Sequence, residues 1–409
     1  MLRKTLTALP LVLALVAAAP SAQAQKWVGS WASAQQIPEP HNALPNEDLQ
    51  DVTLRQIIHL SLGGPRLRVR VSNAFGTAPL TIGAASVALS SGPGSPGLRT
   101  QGAPLTFSGK RQVIIPAGAE YLSDPVALAA PAGADLAVSL YLGQAPERQT
   151  SHPGSRTTSY LLKGEHVADA DLPGAKAVDH WYQLSGVEID APRSAAALVT
   201  LGDSITDGRG STTNGNDRWP DLLAARLRAD ARTRGVAVVN LGTGGNRLLN
   251  DGLGPSALAR FDRDVLGQAG VRWVFVLEGI NDIGTLKAGE SAQAHAELVQ
   301  RMIGAYEQII ERAHAHGLKV VGATLLPFQG SDYDKADPLR EQDRQAVNRW
   351  IRTSGRFDAV VDFDQVTRDP TQPLRLRPEF DTGDHLHPSP AGYKAMAEAI
   401  PLSLFGAAR

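Results

Sequence analysis

The chain has 409 residues, a formal net charge of −1, 43% hydrophobic residues and 20% charged ones. That length suits two domains better than one, and the balance fits a packed globular protein, not a disordered one. The absence of cysteine excludes disulfides, thiolate metal sites and cysteine nucleophiles, and the near-neutral charge gives no case for nucleic acid or an anionic membrane surface as partner.

Residues 1–24 read as a cleavable secretory leader. Arg3 and Lys4 form a basic head, residues 6–19 are apolar but short for a membrane span, and Ala22-Gln23-Ala24 is a small-residue cleavage site. Cutting after Ala24 predicts an exported, soluble protein, periplasmic or extracellular. A retained N-terminal anchor is the competing reading.

Residues 25–192 alternate with period two. Ile58, Leu60 and Leu62 are followed by Gly63-Gly64-Pro65 and then by Leu67, Val69 and Val71. This pattern predicts an antiparallel hairpin with one wet face. Leu136, Val138, Leu140 and Leu142 repeat it, Gly and Pro clusters punctuate the region, and long helical patterns are absent. An all-β sandwich or jelly-roll-like domain is expected.

After Pro192 the pattern changes, and residues 193–409 read as an α/β domain. Apolar runs at 197–201, 236–241, 271–277, 320–325 and 359–363 predict strands buried on both faces. Helices are expected over 219–234, 292–316 and 340–353, with a last amphipathic stretch at 390–405. Strands alternating with helices imply a parallel sheet covered on both sides, with ligands bound beyond the carboxyl ends of the strands.

Four blocks at those strand ends carry candidate chemistry. Ser204, in Gly202-Asp203-Ser204-Ile205-Thr206-Asp207-Gly208, stands where a nucleophile would be presented, though a helix N-cap is the plainer reading. The glycines of the block 239–246 let backbone approach a ligand closely, and the spacing lacks the full dinucleotide-binding fingerprint. Asn281 follows the third strand and has an amide to donate, or serves as an ordinary turn residue. Asp384 precedes His387 by three residues, so one turn can hold both, the carboxylate orienting the imidazole. His385 reads as a bystander or a supporting group, and an Asp/His metal site is the alternative reading of this last block.

Together these blocks resemble those of the SGNH, or GDSL-type, hydrolases over about residues 196–405. The matching positions are Ser204, Gly245, Asn281, and His387 with Asp384. Gly245 is preferred to Gly244 because it follows Asn240 by five residues, the family's usual interval. The resemblance implies a flavodoxin-like three-layer α/β/α fold with a five-stranded parallel sheet. It also implies a Ser-His-Asp triad with neither metal nor cofactor, and an oxyanion hole from the Ser204 and Gly245 amides and the Asn281 side chain. An α/β-hydrolase fold fits less well, since Thr206 stands where its elbow needs glycine. Residues 27–32 and 66–76 are similar to the β-domain that precedes the hydrolase in a secreted bacterial subgroup grouped with carbohydrate esterases. There Trp27 and Trp31 either contact carbohydrate or fill the core.

The expected function is a secreted serine esterase deacetylating polysaccharide or other short-chain esters. The polar, acidic segment 328–338, expected to overhang the site, favours a sugar ester over a long acyl chain. A lipid esterase and a non-catalytic carbohydrate-binding protein are the alternatives.

Overall fold

The structure, a computed structural model, describes residues 26–406; the expected leader at 1–24 lies outside them. The first half is β-rich. Strands Lys26–Ala32, Leu184–Ala191, Leu67–Ser72 and Glu120–Leu122 form one antiparallel sheet in that order. A second sheet runs Lys176–Val178, Ser159–Lys163, Val52–His59, Asp135–Leu142, Ala84–Leu89 and Ala103–Pro104. Val69, Val71, Val187 and Ile189 of the first sheet share one core with Leu54, Ile58, Val138 and Leu140 of the second.

The hairpin expected around Gly63-Gly64-Pro65 does not form. Val52–His59 and Leu67–Ser72 lie in different sheets, and the Gly-Gly-Pro segment carries the chain from one to the other. It passes so close to its neighbours that a Cβ on Gly64 would lie 2.2 Å from Ile189 Cγ2, so the glycines serve a crossing and not a tight turn. Nor is the polar face wet. Arg55 is buried and donates to Ser139 Oγ and to the Pro96 and Asp169 carbonyls. Arg68 and Arg70 pair with buried Glu188. Buried arginines persist where every donor finds an acceptor.

The second half holds a five-stranded, all-parallel sheet in the order Val236–Gly242, Ala196–Gly202, Val271–Leu277, Lys319–Ala323, Ala359–Val361. Numbered along the chain this is 2-1-3-4-5, the flavodoxin-like order. Helices Trp219–Ala229 and Pro390–Ala399 pack together, as do Ala292–Ala315 and Leu339–Thr353. Several elements are shorter than the periodicity predicts. The first helix stops at Ala229 because Asp230 turns the chain, accepting from the Arg232 amide. The last stops before Ile400-Pro401, since a residue preceding proline is pushed out of the helical region. The fourth strand ends at Ala323, and the Leu325 amide is taken by Asn348 Oδ1. The fifth ends at Val361, where Asp362 caps the helix Phe363–Thr367.

The two halves are in close contact. Strand Lys26–Ala32 lies beside the edge strand Val236–Gly242, whose Val238 amide donates to Ser61 Oγ. The β half thereby covers an edge that would otherwise be open to further strand pairing. Trp31 is buried in the β core, edge-on to Trp181, and Trp27 is half-buried under Arg68. Among the described residues no helix is long and apolar enough to cross a membrane.

Candidate active site

Parallel register brings three sequence blocks to one place. Gly202 is level with Gly242 on one side and Leu277 on the other, so the segments that follow emerge side by side at the carboxyl edge of the sheet. Gly242 must be glycine-sized, because a Cβ there would lie 2.2 Å from the Asp207 nitrogen. That close approach lets the one-turn helix Ser204–Asp207 lean on the neighbouring strand end. Asp203 caps this helix, its Oδ1 accepting from the Ile205 amide at 2.8 Å, and Gly208 closes it in the left-handed region. Ser204 is therefore the first helical residue, where the backbone N–H has no partner within the helix.

Ser204 Oγ lies 2.8 Å from His387 Nε2, and His387 Nδ1 lies 2.6 Å from Asp384 Oδ2. Both Ser204 and His387 are buried. The other carboxylate oxygen of Asp384 accepts from the Leu386 and His387 amides and from Thr382 Oγ1. Burial opposes the charge on Asp384, but the bonds from the His387 ring and from these amides outweigh it and hold the carboxyl well below the usual carboxylate range. His385 turns away and bonds Asp381 instead, at 2.5 Å.

Gly245 adopts φ +66°, a conformation costly for any side chain, and an added Cβ would meet Leu253. Asn281 sits in the one-turn helix Ile280–Gly284, its Nδ2 donating to the Asn246 carbonyl and its Oδ1 accepting from Tyr333 Oη, both at 2.8 Å. These two contacts fix the amide orientation and leave a second N–H on Nδ2. The Asp282 carboxylate accepts from the Leu248 and Leu249 amides, tying down the loop that carries Gly245. All five expected site residues are thus assembled. Ser204, Gly245, Asn281 and His387 line one cavity of about 460 Å³, with Asp384 behind His387. A larger cavity of about 690 Å³ between helices Ala292–Ala315 and Leu339–Thr353 contains none of them.

Beneath the cavity, the acidic groups Asp203, Glu278 and Asp282 are buried close together. Burial, and then the neighbouring charge of Asp282, push the Asp203 carboxyl up to about 7. Glu278 is raised well above its ordinary value, first by burial and then by Asp203. Burial takes Asp282 to about 6. Arg260, fully buried, is the local cation; it donates to the Gly202 and Leu241 carbonyls and to Asn246 Oδ1, binding the strand ends together.

The resemblance suggests a lid, a support or a carbohydrate-contacting surface for the β half, but sequence reasoning named none of its residues that reach the site. Gln36, Asn42, Arg156 and His180 line the same cavity, and His152 reaches Asp207 within the Ser204 heptapeptide at 2.8 Å. It also missed Tyr333 as the partner of Asn281. Aspartate in the heptapeptide was the sole local signal; its partner is 55 residues away, in the other half of the chain.

Residues 200–395 match the GDSL-like Lipase/Acylhydrolase family. Among solved structures, the chain is similar to a GDSL-like lipase from Bacteroides thetaiotaomicron, with 20% identity and a TM-score of 0.37 over 50% of this chain and 84% of that one. It is also similar to an acetylxylan esterase from Geobacillus stearothermophilus, with 21% identity and a TM-score of 0.37 over 51% of this chain and 94% of that one. No curated protein matches the chain.

Proposed function

We propose, for a protein whose residues 200–395 are of the GDSL-like lipase/acylhydrolase family and which is therefore an enzyme acting on ester bonds, that Ser204, His387 and Asp384 are its catalytic triad. The observation that carries the reading is the unbroken line from Asp384 Oδ2 through His387 to Ser204 Oγ at the wall of the cavity.

The reaction is a two-step acyl transfer. His387 Nε2 takes the proton as Ser204 Oγ bonds to the ester carbonyl carbon, and Asp384 holds the imidazole and stabilises its cation. The Ser204 and Gly245 amides and Asn281 Nδ2 stabilise the tetrahedral oxyanion. Collapse breaks the ester C–O bond, and His387 returns its proton to the leaving alcohol. Water, deprotonated by His387, then hydrolyses the acyl-enzyme and restores Ser204.

The fine assignment is a secreted esterase: residues 1–24 a signal peptide, 25–192 a β-sandwich-like domain and 193–409 the hydrolase domain. Its substrate is an acetylated polysaccharide or another short-chain ester. Tyr333 overhanging Asn281, and the polar groups Gln36, Asn42 and His180 in the cavity, support a small acyl group on a hydroxyl-rich alcohol.

Hydrolysis of p-nitrophenyl esters from acetate to decanoate, by the protein and its Ser204→Ala variant, tests this. Acetate turnover abolished in the variant is the expected result. Turnover persisting in the variant would sink the triad, and a rate peaking at long chains would replace the polysaccharide reading with a lipid one.

A further inference from the structure

We propose that Arg156 of the β half and Arg209 of the hydrolase half form an anion subsite that selects ester substrates carrying a carboxylate, as in an acidic saccharide. The inference rests on the reading of Ser204 as the nucleophile of this cavity and adds the class of alcohol the enzyme accepts.

Both arginines line the cavity that holds Ser204 and His387. Among the described residues neither guanidinium donates a hydrogen bond or forms an ion pair, and Arg156 Nε is buried without a partner. Of the cavity's own acids, both Glu39 oxygens and Asp207 Oδ1 are engaged, while Asp207 Oδ2 is buried without a partner. Glu39 accepts from the Gln36 and Asn42 amides, and Asp207 from His152. Two guanidinium groups left without a partner in one cavity make a site that can take an anion, and a buried guanidinium N–H with no acceptor is costly unless a ligand supplies one.

The backbone holds both residues in place. Arg156 has φ +51°, an arrangement that costs energy in a non-glycine residue and survives where the surroundings impose it. They do so here from both sides. His152 bonds Asp207, the Arg156 carbonyl accepts from the Asn214 amide, and the Thr158 amide donates to Asn214 Oδ1. Arg209 is set by its amide, which donates to the Ser204 carbonyl, and by its own carbonyl, which accepts from Tyr393 Oη. The backbone of Arg209 therefore lies in fixed relation to the nucleophile, with its guanidinium within reach of the same cavity. Guanidinium groups match a planar carboxylate bidentately, and the amide and imidazole groups around them suit sugar hydroxyls better than an acyl chain.

The test compares kcat/KM on an O-acetylated oligogalacturonate with that on its carboxyl-reduced, neutral counterpart. The parent is expected to favour the acidic chain about tenfold or more, as for a charge-assisted hydrogen bond. The ratio should fall toward one in Arg156→Gln and in Arg209→Gln, and recover in part in Arg156→Lys. A parent ratio near one, or a ratio unmoved by both glutamine variants, overturns the subsite. If Arg156→Gln melts early, the exposed Arg209→Gln decides. Titration of the Ser204→Ala variant with the two chains supplies a reading without turnover: tighter binding of the acidic chain supports the subsite, equal binding overturns it. Inorganic phosphate competing far better than acetate would overturn the carboxylate assignment in favour of a phosphate group. Failure of the parent on every ester, p-nitrophenyl acetate included, would count against the esterase reading and leave the titration to judge the subsite.

Discussion

His152, from the β half, stands 2.8 Å from Asp207, three residues beyond Ser204. The His152 Nδ1–H donates to the Ala34 carbonyl, and its ring stacks on Trp181 at 5.6 Å. With Nδ1 the donor on one side, a single proton bridges Nε2 and Asp207 Oδ1 on the other. Both side chains are almost wholly buried. The helix presenting Ser204 is thus anchored by a residue of the other half of the molecule.

Replacing His152 by Ala leaves the Asp207 carboxylate buried and unpaired. Removing one partner of such a pair costs about 3–5 kcal/mol. The expected outcome is a lower midpoint in urea, with kcat reduced more than KM is raised, because the residue anchors the helix that carries the proposed nucleophile Ser204. Unfolding curves and steady-state kinetics on one p-nitrophenyl ester check both.

Gly154 makes a second, steric prediction about the same contact. A Cβ there would lie 1.8 Å from Asp207 Oδ2, and Asp207 is held by His152. Gly154→Ala should destabilise by roughly 1–3 kcal/mol, as overpacking does, and should lower kcat. Thermal melts of the variant beside Gly92→Ala, where no heavy atom lies within 4 Å of the added Cβ and φ, as at Gly154, is not positive, separate the clash from the general effect of adding a methyl group.

Asn281→Ala removes the side-chain donor proposed to meet the oxyanion. A loss of about 10²–10³ in kcat with little change in KM is expected. Tyr333→Phe takes away the hydroxyl that fixes the Asn281 amide, and a smaller loss, about fivefold to tenfold, should follow from a hydrogen bond worth ~1 kcal/mol.

Asp384→Asn should leave the fold intact while cutting kcat by about 10³–10⁴, since an amide favours the wrong imidazole tautomer. The depressed native ionisation of Asp384 means that its contribution to stability is present above the unfolded carboxyl value and is lost as pH falls through the lower, native one. Asp384 should therefore stay ionised to well below the usual carboxylate range, which a carboxylate-resolved infrared titration would follow.

Asp203 and Glu278 have the opposite sign. Their folded values are raised, so the native state binds more protons than the unfolded chain above the ordinary carboxyl range. Stability from these groups is full below about pH 4 and declines as pH rises, for Asp203 until about 7. The double variant Asp203→Asn, Glu278→Gln keeps a capping side chain, since asparagine caps as well as aspartate. It should flatten the stability profile from pH 4 to 8 and gain most on the parent at pH 8. Urea midpoints across that range measure it, and parallel profiles for parent and variant would refute it.

The amino-acid sequence by itself determined whatever depends on neighbours along the chain. Asp384 and His387 meet because three residues span one turn, and Ser204 is presented because a buried strand ends in glycine just before it. The parallel sheet follows from apolar runs alternating with helices, and its register then brings Gly245 and Asn281 beside Ser204. Where short-range signals were ambiguous, they misled. Gly63-Gly64-Pro65 marks a change of direction, but not that the chain leaves one sheet for another, and Arg68 and Arg70 look solvated although both pair with buried Glu188 and Arg70 reaches the Gly267 carbonyl of the second half. Only the tertiary structure decided that the β half completes the cavity. His152, Arg156 and Gln36 are brought to Ser204 by the docking of two separately patterned halves, and that docking is set by buried area and mutual hydrogen bonding, which leave no periodic mark in either segment.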